Sequence, residues 1–453
     1  MQILSTIFYF IITIGVLVLV HEFGHFIAAI SLGMRADVFA VGMGSRLFGW
    51  NKKTGFSFGT LRSDVDLDGN TDYRVSLFPI GGYVKIAGMI DESMDTEFLK
   101  HEPQPWEFRS KPIWKRAVVL SAGVIMNVIL AVAIFWGIIY HQGKDIRPVT
   151  EIGYIAPGSP AEKFGLHVSD KILALNDKPV KQWDEIESLL YTESVGSDLT
   201  FHIERSGTPV IIFIKRTSVP DLTEQRFGIL PTGLVPVVAA VDAGKPAGMI
   251  GLQPNDTILG VNDAPVSYGS LSELIKAHAD KEMMLVWKRG DQRMEKKVTP
   301  THEGRIGISL EAGYTGTVLH LQYGFFEALP VGIKEVTLTS QLFLDNIYQI
   351  IAGRASFSKS LGGPVKIAQM ASRSAENGLT AFLGFLAILS ISLALLNILP
   401  FPALDGGHLV FLAYEGIFRK QIPDKIKIGI QSVGFFLLLA FMAFVVYNDV
   451  VNF

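Results

Sequence analysis

Long apolar segments separated by charged stretches set the pattern of this chain. Four of them are close to the length of about 20 apolar residues that a helix needs to cross a bilayer. They cover approximately 3–32, 117–140, 381–404 and 428–447. The third ends in the Pro-rich stretch "NILPFPAL" and is the least regular of the four. We predict four transmembrane helices.

Basic residues flank these segments unevenly, and cytoplasmic loops carry the excess of Lys and Arg. "MQILST" at the start has no basic residue and no cleavage site follows it, so we expect no cleaved signal peptide. The basic residues cluster after the first segment, before the second and between the last two: Arg35, Arg46, Lys52, Lys53, Arg109, Lys111, Lys115, Arg116, Arg419, Lys420, Lys425 and Lys427. We therefore expect 33–115 and 409–427 to face the cytoplasm, and both termini and 141–320 to lie outside.

The outer region contains an internal duplication. Residues 156–180 match residues 242–266 without a gap. Each copy has a Gly-Leu turn, a β-prone run, an Asn-Asp turn and a helix-like stretch, a pattern that resembles PDZ domains. PDZ domains bind extended peptides by adding a strand to a sheet edge, and the Gly-Leu turns at 165–166 or 251–252 could bind a peptide C-terminus. The alternative is a duplicated β-rich spacer without a ligand.

These patterns predict an α-helical polytopic membrane protein with two inserted α+β PDZ domains. Residues 325–351 are apolar but carry charged side chains, among them Lys334, Glu335 and Asp345, which favours an amphipathic helix at the outer interface over a fifth span. The predicted divisions are a first membrane region, a first PDZ domain, a second PDZ domain, an interfacial helix region and a second membrane region: 1–140, 141–235, 236–320, 321–360 and 361–453.

The composition agrees with a membrane protein and limits both the partners and the residue types that could bind a metal ion. The 453 residues are 49% hydrophobic, with a mean hydropathy of +0.34 and a formal net charge of −3. A nucleic-acid-binding protein would normally show a basic face, so we expect no nucleic-acid partner. The chain has no cysteine, which leaves His, Asp and Glu to hold any metal ion.

The first apolar segment contains "VHEFGH", which places His21, Glu22 and His25 inside a predicted span. On a helix, residues four apart are separated by about 40° around the axis and about 6 Å along it, so both imidazoles can reach one ion. Glu22 lies beside them and can act on a water molecule. This is the H-E-x-x-H arrangement of zinc hydrolases. Burying ionisable groups inside the membrane costs free energy, which favours a functional site for these residues. The alternative is a buried polar cluster that only holds helices together.

Zinc in a catalytic site needs a third protein ligand. Asp405 follows the Pro400-x-Pro402 turn and precedes two glycines. Broken backbone at membrane depth is tolerated where it lines a cavity, so this turn favours a site. A helix cap at the cytoplasmic surface is the alternative for Asp405, and His408 is the rival ligand.

His21-Glu22-Phe23-Gly24-His25 together with Asn397-x-x-Pro-x-Pro-x-Leu-Asp405-Gly resembles the signature of the site-2 protease family of intramembrane metalloproteases. Four spans with a PDZ pair between the second and third are the layout of a bacterial branch of that family. The resemblance covers essentially the whole chain. The family often has a Gly-Pro-x-x-Asn motif near the second span, and this chain reads Gly123-Val124-x-x-Asn127, which keeps the asparagine and lacks the proline.

The resemblance implies three zinc ligands (His21, His25 and Asp405), Glu22 as the general base and Asn397 as a group that holds substrate near Zn²⁺. It also implies that residues 74–89 form a membrane-associated β-like loop that contacts substrate. Within it, "GYVKI" is a β-prone run whose edge could pair with an unwound segment, through Gly82, Tyr83, Val84, Lys85 and Ile86. A simple hairpin packed on the spans is the alternative.

The expected activity is hydrolysis of peptide bonds within transmembrane segments. The family implies single-pass substrates that another protease has shortened, such as anti-sigma factors and remnant signal peptides. It also implies a bacterial inner membrane location with the active site toward the cytoplasm and the PDZ pair in the periplasm, where the pair would act as a size filter. Three other classes stay open: a membrane metal transporter, an inactive scaffold and a lipid hydrolase.

Overall fold

The computed structural model describes residues 2–61, 65, 67–89, 101–190, 198–215, 227–242, 244–262, 264–351 and 363–451. They form two compact units. The first, the membrane unit, comprises Met1–Gln142 and Gln322–Phe453, and the second, the inserted unit, comprises Gly143–Leu321. The predicted boundary between 360 and 361 lies outside the described residues.

Helices dominate the membrane unit and are short in the inserted unit. In chain order, the helices of the described residues are α1 (Gln2–Ser31), α2 (Ile113–Gln142), α3 (Pro160–Lys163), α4 (Trp183–Ser188), α5 (Pro246–Met249), α6 (Leu271–Ala277), α7 (Phe325–Ile351), α8 (Pro364–Glu376), α9 (Leu379–Asn397), α10 (Asp405–Phe418) and α11 (Asp424–Val451).

The strands of the same residues follow in chain order. They are β1 (Ala36–Asn51), β2 (Gly55–Phe58), β3 (Asp72–Ile86), β4 (Lys144–Ile146), β5 (Ile152–Ile155), β6 (Lys171–Leu175), β7 (Lys178–Pro179), β8 (Leu199–Arg205), β9 (Thr208–Ile214), β10 (Ile229–Pro231), β11 (Leu234–Val241), β12 (Thr257–Val261), β13 (Ala264–Pro265), β14 (Met283–Arg289), β15 (Gln292–Val298), β16 (Ile308–Tyr314) and β17 (Leu319–Leu321).

Among the described residues of the membrane unit, four helices are long and apolar enough to cross a bilayer. They contain the segments Leu4–Ser31, Ile113–Gln142, Leu379–Asn397 and Asp424–Asp449. Each exceeds or approaches the span of about 20 residues that the hydrocarbon layer requires. The chain therefore has the helices of a polytopic membrane protein, in the four places that the apolar pattern indicates.

The third of these helices is shorter than the sequence pattern suggested. The apolar segment was expected to continue to residue 404, but α9 ends at Asn397 and α10 begins at Asp405. Pro400 and Pro402 explain the difference, because proline lacks the backbone N–H and disfavours helical geometry in the residue before it. The intervening turn places Asp405 at the start of a new helix.

The predicted β-like loop is part of a three-stranded sheet with the order β2-β1-β3. Residues 82–86 of β3 lie opposite 36–41 of β1, and residues 72–75 of the same strand also lie opposite this part of β1. Among the described residues, no further strand pairs with 82–86, so this stretch is a sheet edge. Its location beside α1 connects the sheet to the motif in that helix.

The inserted unit contains two small α+β bodies whose elements follow one another in the same order. The first has the sheet β7-β6-β8-β9 and the pair β10-β5, while the second joins the corresponding strands in one sheet, β15-β14-β12-β11-β16, with β13 on β12. Each packs around a fully buried tryptophan, Trp183 in the first and Trp287 in the second. Asn176 and Asp177 have positive φ angles, as the predicted Asn-Asp hairpin turn requires.

The Gly-Leu turns of both bodies are bound by an arginine that the sequence patterns did not indicate. Arg205 donates to both carboxylate oxygens of Asp170 and to the Gly165 carbonyl, each at 2.7 Å. In the second body, Arg289 contacts Asp256 and the Gly251 carbonyl at the same distances. Both aspartates are completely buried. Each turn is therefore engaged within its own body: the arginine holds the glycine carbonyl, and the Gly and Leu amides donate to carbonyls of the preceding short helix.

Candidate active site

The predicted catalytic motif lies on one face of α1, where the residues are buried within an otherwise apolar helix. His21 and His25 are each 7% exposed. Their Nε2 atoms are 3.2 Å apart. Helical spacing brings the two rings together as the motif requires, and both imidazoles turn the same nitrogen toward a common point.

Asp405 reaches this point from the far end of the chain. Its Oδ2 lies 3.1 Å from His21 Nε2 and 3.4 Å from His25 Nε2. The turn before it is tight, because Ala403 has a positive φ and a Cβ at Gly406 would lie 2.1 Å from the Leu399 carbonyl oxygen. Only glycine fits such a close backbone approach. The Pro-x-Pro and Gly-Gly pattern thus aims the carboxylate at the histidines.

These three side chains could hold one metal ion. Their ligand atoms all lie within 4.8 Å of one another, and they are the only His, Asp or Glu group of this kind within the part of the chain that the structure describes. Asp405 Oδ2 is buried without a hydrogen-bond partner there. Two imidazole nitrogens and one carboxylate oxygen match the three protein ligands of catalytic zinc sites.

The remaining ring nitrogens of the two histidines are held by α2. His25 Nδ1 lies 2.8 Å from the Val119 carbonyl oxygen, and His21 Nδ1 lies 3.2 Å from the Asn127 side-chain amide. At His25, donation of the Nδ1 proton to this carbonyl leaves Nε2 free as a ligand and fixes the tautomer and the ring orientation. At His21 the facing atom is the amide nitrogen Nδ2 of Asn127, which is itself a donor, so this contact positions the ring without setting its tautomer. Asn127 was recognised from sequence only as a retained motif residue without a role, and the Val119 carbonyl was not foreseen.

Two glycines allow α1 and α2 to approach each other at this level. A Cβ at Gly24 would lie 2.4 Å from the Ala122 carbonyl oxygen, and one at Gly123 would lie 2.4 Å from His25 Nε2 and 2.6 Å from His21 Cε1. Gly123 therefore provides the space that the imidazoles occupy. Val124 continues the helix α2 without a break, so the missing proline leaves this packing intact.

Glu22 faces the sheet edge. Its Oε2 accepts a hydrogen bond of 3.0 Å from the backbone amide of Val84 in β3. Asn397, at the end of α9, places its Nδ2 3.4 Å from His21 Nε2. The residues predicted as general base, as substrate-holding amide and as sheet edge therefore lie close to the same three side chains.

A cavity of about 540 Å³ opens beside this cluster and gives it room for a ligand. Of the five residues predicted to contact substrate from β3, it is lined by Tyr83, Val84 and Lys85. Gly82 faces the backbone of β1, where a Cβ would lie 2.7 Å from the Ala40 carbonyl oxygen. Ile86 is 3% exposed and packs in the core between the sheet and α1.

His408, the rival third ligand, points elsewhere. Its ring lies one turn after Asp405 in α10, with Nε2 2.9 Å from the side-chain amide of Gln431 in α11. The cluster of possible metal ligands excludes it. It lines both the cavity beside the cluster and a second, polar cavity of about 230 Å³ that also contains Arg116 and Glu415.

Comparison with known proteins agrees with this geometry. The model of peptidase family M50 matches residues 9–441 of the chain. The regulator of sigma E protease of Haemophilus influenzae is 30% identical over 97% of both chains. The regulator of sigma-E protease RseP of Salmonella typhimurium is 28% identical over 97% of both, and the protease RseP of Yersinia pestis is 28% identical over 99% of both.

The family match includes every element that contributes to the cluster, from the motif in α1 through the Asp405 turn to Gln431 in α11. Peptidases of this family are zinc-dependent and act on membrane proteins within the lipid bilayer. The match covers far more than half of the 453 residues. The chain belongs to peptidase family M50, the site-2 protease family of zinc metalloproteases that carry out regulated intramembrane proteolysis.

Proposed function

We propose that this chain cleaves peptide bonds within transmembrane segments, with His21, His25 and Asp405 as the zinc ligands and Glu22 as the general base. The observation that carries the proposal is the convergence of two imidazole nitrogens and one carboxylate oxygen on one point. The carboxylate of Glu22 lies next to them, on the side of the cavity and the sheet edge.

The residues have separate parts in the hydrolysis. Zinc held by His21, His25 and Asp405 would act as a Lewis acid and would make water at the site more acidic. Glu22 accepts a proton from the attacking water and returns it to the leaving amine. The Asn397 amide, 3.4 Å from His21 Nε2, donates to the oxygen that becomes negative in the transition state.

Substrate binding uses the edge of β3. A transmembrane helix hides its peptide groups in its own hydrogen bonds, so it must unwind locally before cleavage. The Val84 amide points away from β1 and toward Glu22, because Glu22 is its acceptor. An extended substrate that pairs with residues 82–86 regains, as strand pairing, the backbone hydrogen bonds that it lost on unwinding. It then lies along the cavity that contains Glu22.

The physiological substrates in this proposal are single-pass membrane proteins that another protease has already shortened, of the anti-sigma factor and remnant signal peptide types. Three relatives are named for regulation of sigma-E or as RseP proteases, which supports the first type. The enzyme resides in a bacterial inner membrane. The distribution of Lys and Arg supports cytoplasmic loops at 33–115 and 409–427, with both termini and the inserted unit in the periplasm.

The two bodies of the inserted unit act in this proposal as PDZ domains and as a size filter for substrates. In the second body, a cavity of about 660 Å³ lies between α6 and the stretch 304–310 that leads into β16. β16 is an edge strand of its sheet in the described structure. An edge strand next to a helix can pair with an added peptide strand. We therefore expect a peptide to bind in this cavity and not at the Gly-Leu turn at 251–252.

The filter is tested by replacing residues 150–315 with a short Gly/Ser linker. The shortened enzyme is expected to cut a trimmed single-pass substrate and also an untrimmed one that the full chain ignores. If it cuts the trimmed substrate and still rejects the untrimmed one, the selection lies outside the inserted unit.

The catalytic assignment is tested with Glu22→Gln in purified protein. This change keeps the size of the side chain and a hydrogen-bonding group but removes the base. Cleavage of a fluorogenic transmembrane peptide in detergent is expected to fall at least about 100-fold, while zinc content measured by elemental mass spectrometry stays at the wild-type level. Wild-type turnover by this variant refutes the role of Glu22.

The same assay separates the alternative functions. A protease loses peptide cleavage when zinc is chelated and regains it when zinc is returned. A metal transporter, an inactive scaffold or a lipid hydrolase cuts no peptide under either condition.

A further inference from the structure

The cavity beside the proposed zinc ligands contains an arginine that the proposed mechanism does not use. Arg74 lies on β3 and lines this cavity together with Tyr83. Both residues lie opposite Ala40 of β1, one in each of the two parts of β3 that flank it. The guanidinium of Arg74 therefore reaches across the sheet face to Tyr83, where it donates to the phenol oxygen and lies 5.4 Å from the ring centroid.

Most of the hydrogen-bonding capacity of Arg74 is unused. A guanidinium has five N–H donors. Within the described part of the chain, its Nε is buried without a partner, and its nearest carboxylate oxygen, in Asp72, is 3.9 Å from Nη1. That distance is too long for a hydrogen bond. The side chain keeps 21% of its surface exposed at the cavity wall.

Asp72 is already neutralised by a different arginine. Arg46 contacts its two oxygens at 3.1 and 3.2 Å and also donates to the Gly59 carbonyl. Arg46 is 4% exposed, so it is the buried structural cation of the sheet. The positive charge of Arg74 is therefore in excess, at the wall of a cavity that also has an apolar lining of Met43, Leu404 and Phe435.

We propose that Arg74 is a specificity-determining residue that binds a carboxylate side chain of the substrate segment next to the scissile bond. This inference rests on the proposed function, because it needs the substrate to lie along 82–86. A substrate side chain that points to the same sheet face as Tyr83 meets the guanidinium. The planar fork of arginine matches a carboxylate, and an acidic side chain at membrane depth requires such a partner.

The experiment measures kcat/KM for a set of transmembrane peptides that carry Asp, Asn, Lys or Leu at each of eight successive positions around the cleavage site. Wild-type enzyme is expected to prefer Asp over Leu at one of these positions by roughly ten- to hundredfold, the usual strength of a hydrogen bond to a charged group. Arg74→Met is expected to abolish the preference at that position only. Arg74→Glu is expected to prefer Lys there.

Two control variants separate recognition from folding. Lys53→Met removes a cation from the exposed turn between β1 and β2, outside the cavity, and is expected to keep the wild-type preference. Tyr83→Phe keeps the ring but removes the phenol oxygen that Arg74 contacts. If it keeps the Asp preference, the guanidinium acts on substrate directly.

The inference is overturned if the Asp-to-Leu ratio is the same in wild type and Arg74→Met at every position. It is also overturned if Arg74→Met and Tyr83→Phe slow all peptides equally, because Arg74 would then only brace the sheet. These outcomes leave the proposed protease function intact, since wild type still cleaves and Glu22→Gln does not. Absence of zinc-dependent cleavage by the wild type refutes the proposed function itself.

Discussion

Gly123→Ala offers a sharp test of the geometry of the metal site, because one added methyl group enters the space between the two histidines. The new Cβ would lie 2.4 Å from His25 Nε2 and 2.6 Å from His21 Cε1. Non-bonded heavy atoms are in favourable contact at about 3.5 Å, so the rings or the helix α2 must move by roughly 1 Å. Metal sites tolerate deviations of only about 0.2 Å in ligand distance.

The expected result is a loss of zinc with little loss of fold. Changes to groups that merely support a ligand reduce metal affinity or activity by about 10- to 100-fold. A direct displacement of two proposed ligands is expected to reduce metal affinity and activity each by at least about 100-fold. The helix itself is expected to become more stable, because alanine in a helix interior is about 0.5–1 kcal/mol more favourable than glycine.

The assay compares Gly123→Ala with Gly137→Ala in the same helix. A Cβ at Gly137 meets nothing within 4 Å, so this control makes the same chemical change without the clash. Zinc content, peptide cleavage and thermal unfolding are measured for both purified proteins. Gly137→Ala should retain zinc and activity. Full zinc occupancy and wild-type turnover in Gly123→Ala would show that the close approach of α2 to the histidines is wrong.

Three further predictions concern the third ligand, the inserted unit and the topology. Asp405→Ala is expected to lower zinc content at least about tenfold while His408→Ala retains zinc; the opposite result would make His408 the ligand. Burial raises the pKa of Asp170, but hydrogen bonds from Arg205 and the His167 amide outweigh it and hold the pKa below its usual range. This stabilisation is complete above the unfolded pKa of about 3.9 and is lost as the pH falls through the lower folded pKa, so acid unfolding of the first body is expected to begin at higher pH in Arg205→Met than in wild type. Single cysteines at Ser45, Thr208 and Gln421 are expected to react with an impermeant thiol reagent outside intact cells only at position 208; labelling at 45 or 421 would reverse the orientation.

The amino-acid pattern located the proposed ligands better than the groups that contact them. The histidines of α1 and the acid after the Pro-x-Pro turn were found from short motifs, because metal ligands are few and chemically distinctive. Asn127 and the Val119 carbonyl were not, since a carbonyl has no sequence signal and an asparagine has many uses. Their contact with the rings depends on how α1 packs against α2, a relation between distant segments that periodicity does not contain.

The ends of the third span and the position of the β-prone run show the same contrast between features that local sequence predicts and features that depend on distant segments. Apolar length located all four candidate spans, but hydropathy alone extended the third span through Pro400 to residue 404. The β-prone run "GYVKI" was recognised, yet its place at a sheet edge depends on the partner strand β1, some forty residues earlier in the chain. The ion pairs of Arg205 and Arg289 were missed, because the duplication was matched only over 156–180 and 242–266 and both arginines lie beyond those stretches.

Glycine accounts for how ligands from opposite ends of the chain meet among closely packed helices. The imidazoles need α2 close to α1, which Gly24 and Gly123 permit, and the carboxylate needs a turn folded tightly over the start of α10, which Gly406 permits. Each position brings backbone or ring atoms within 2.7 Å of where a Cβ would lie. Small residues let membrane helices approach without a hydrophobic driving force between them. The glycines beside the ligands are therefore as much a part of the proposed zinc site as the ligands themselves, and a larger residue at any of them is expected to remove the metal before it unfolds the protein.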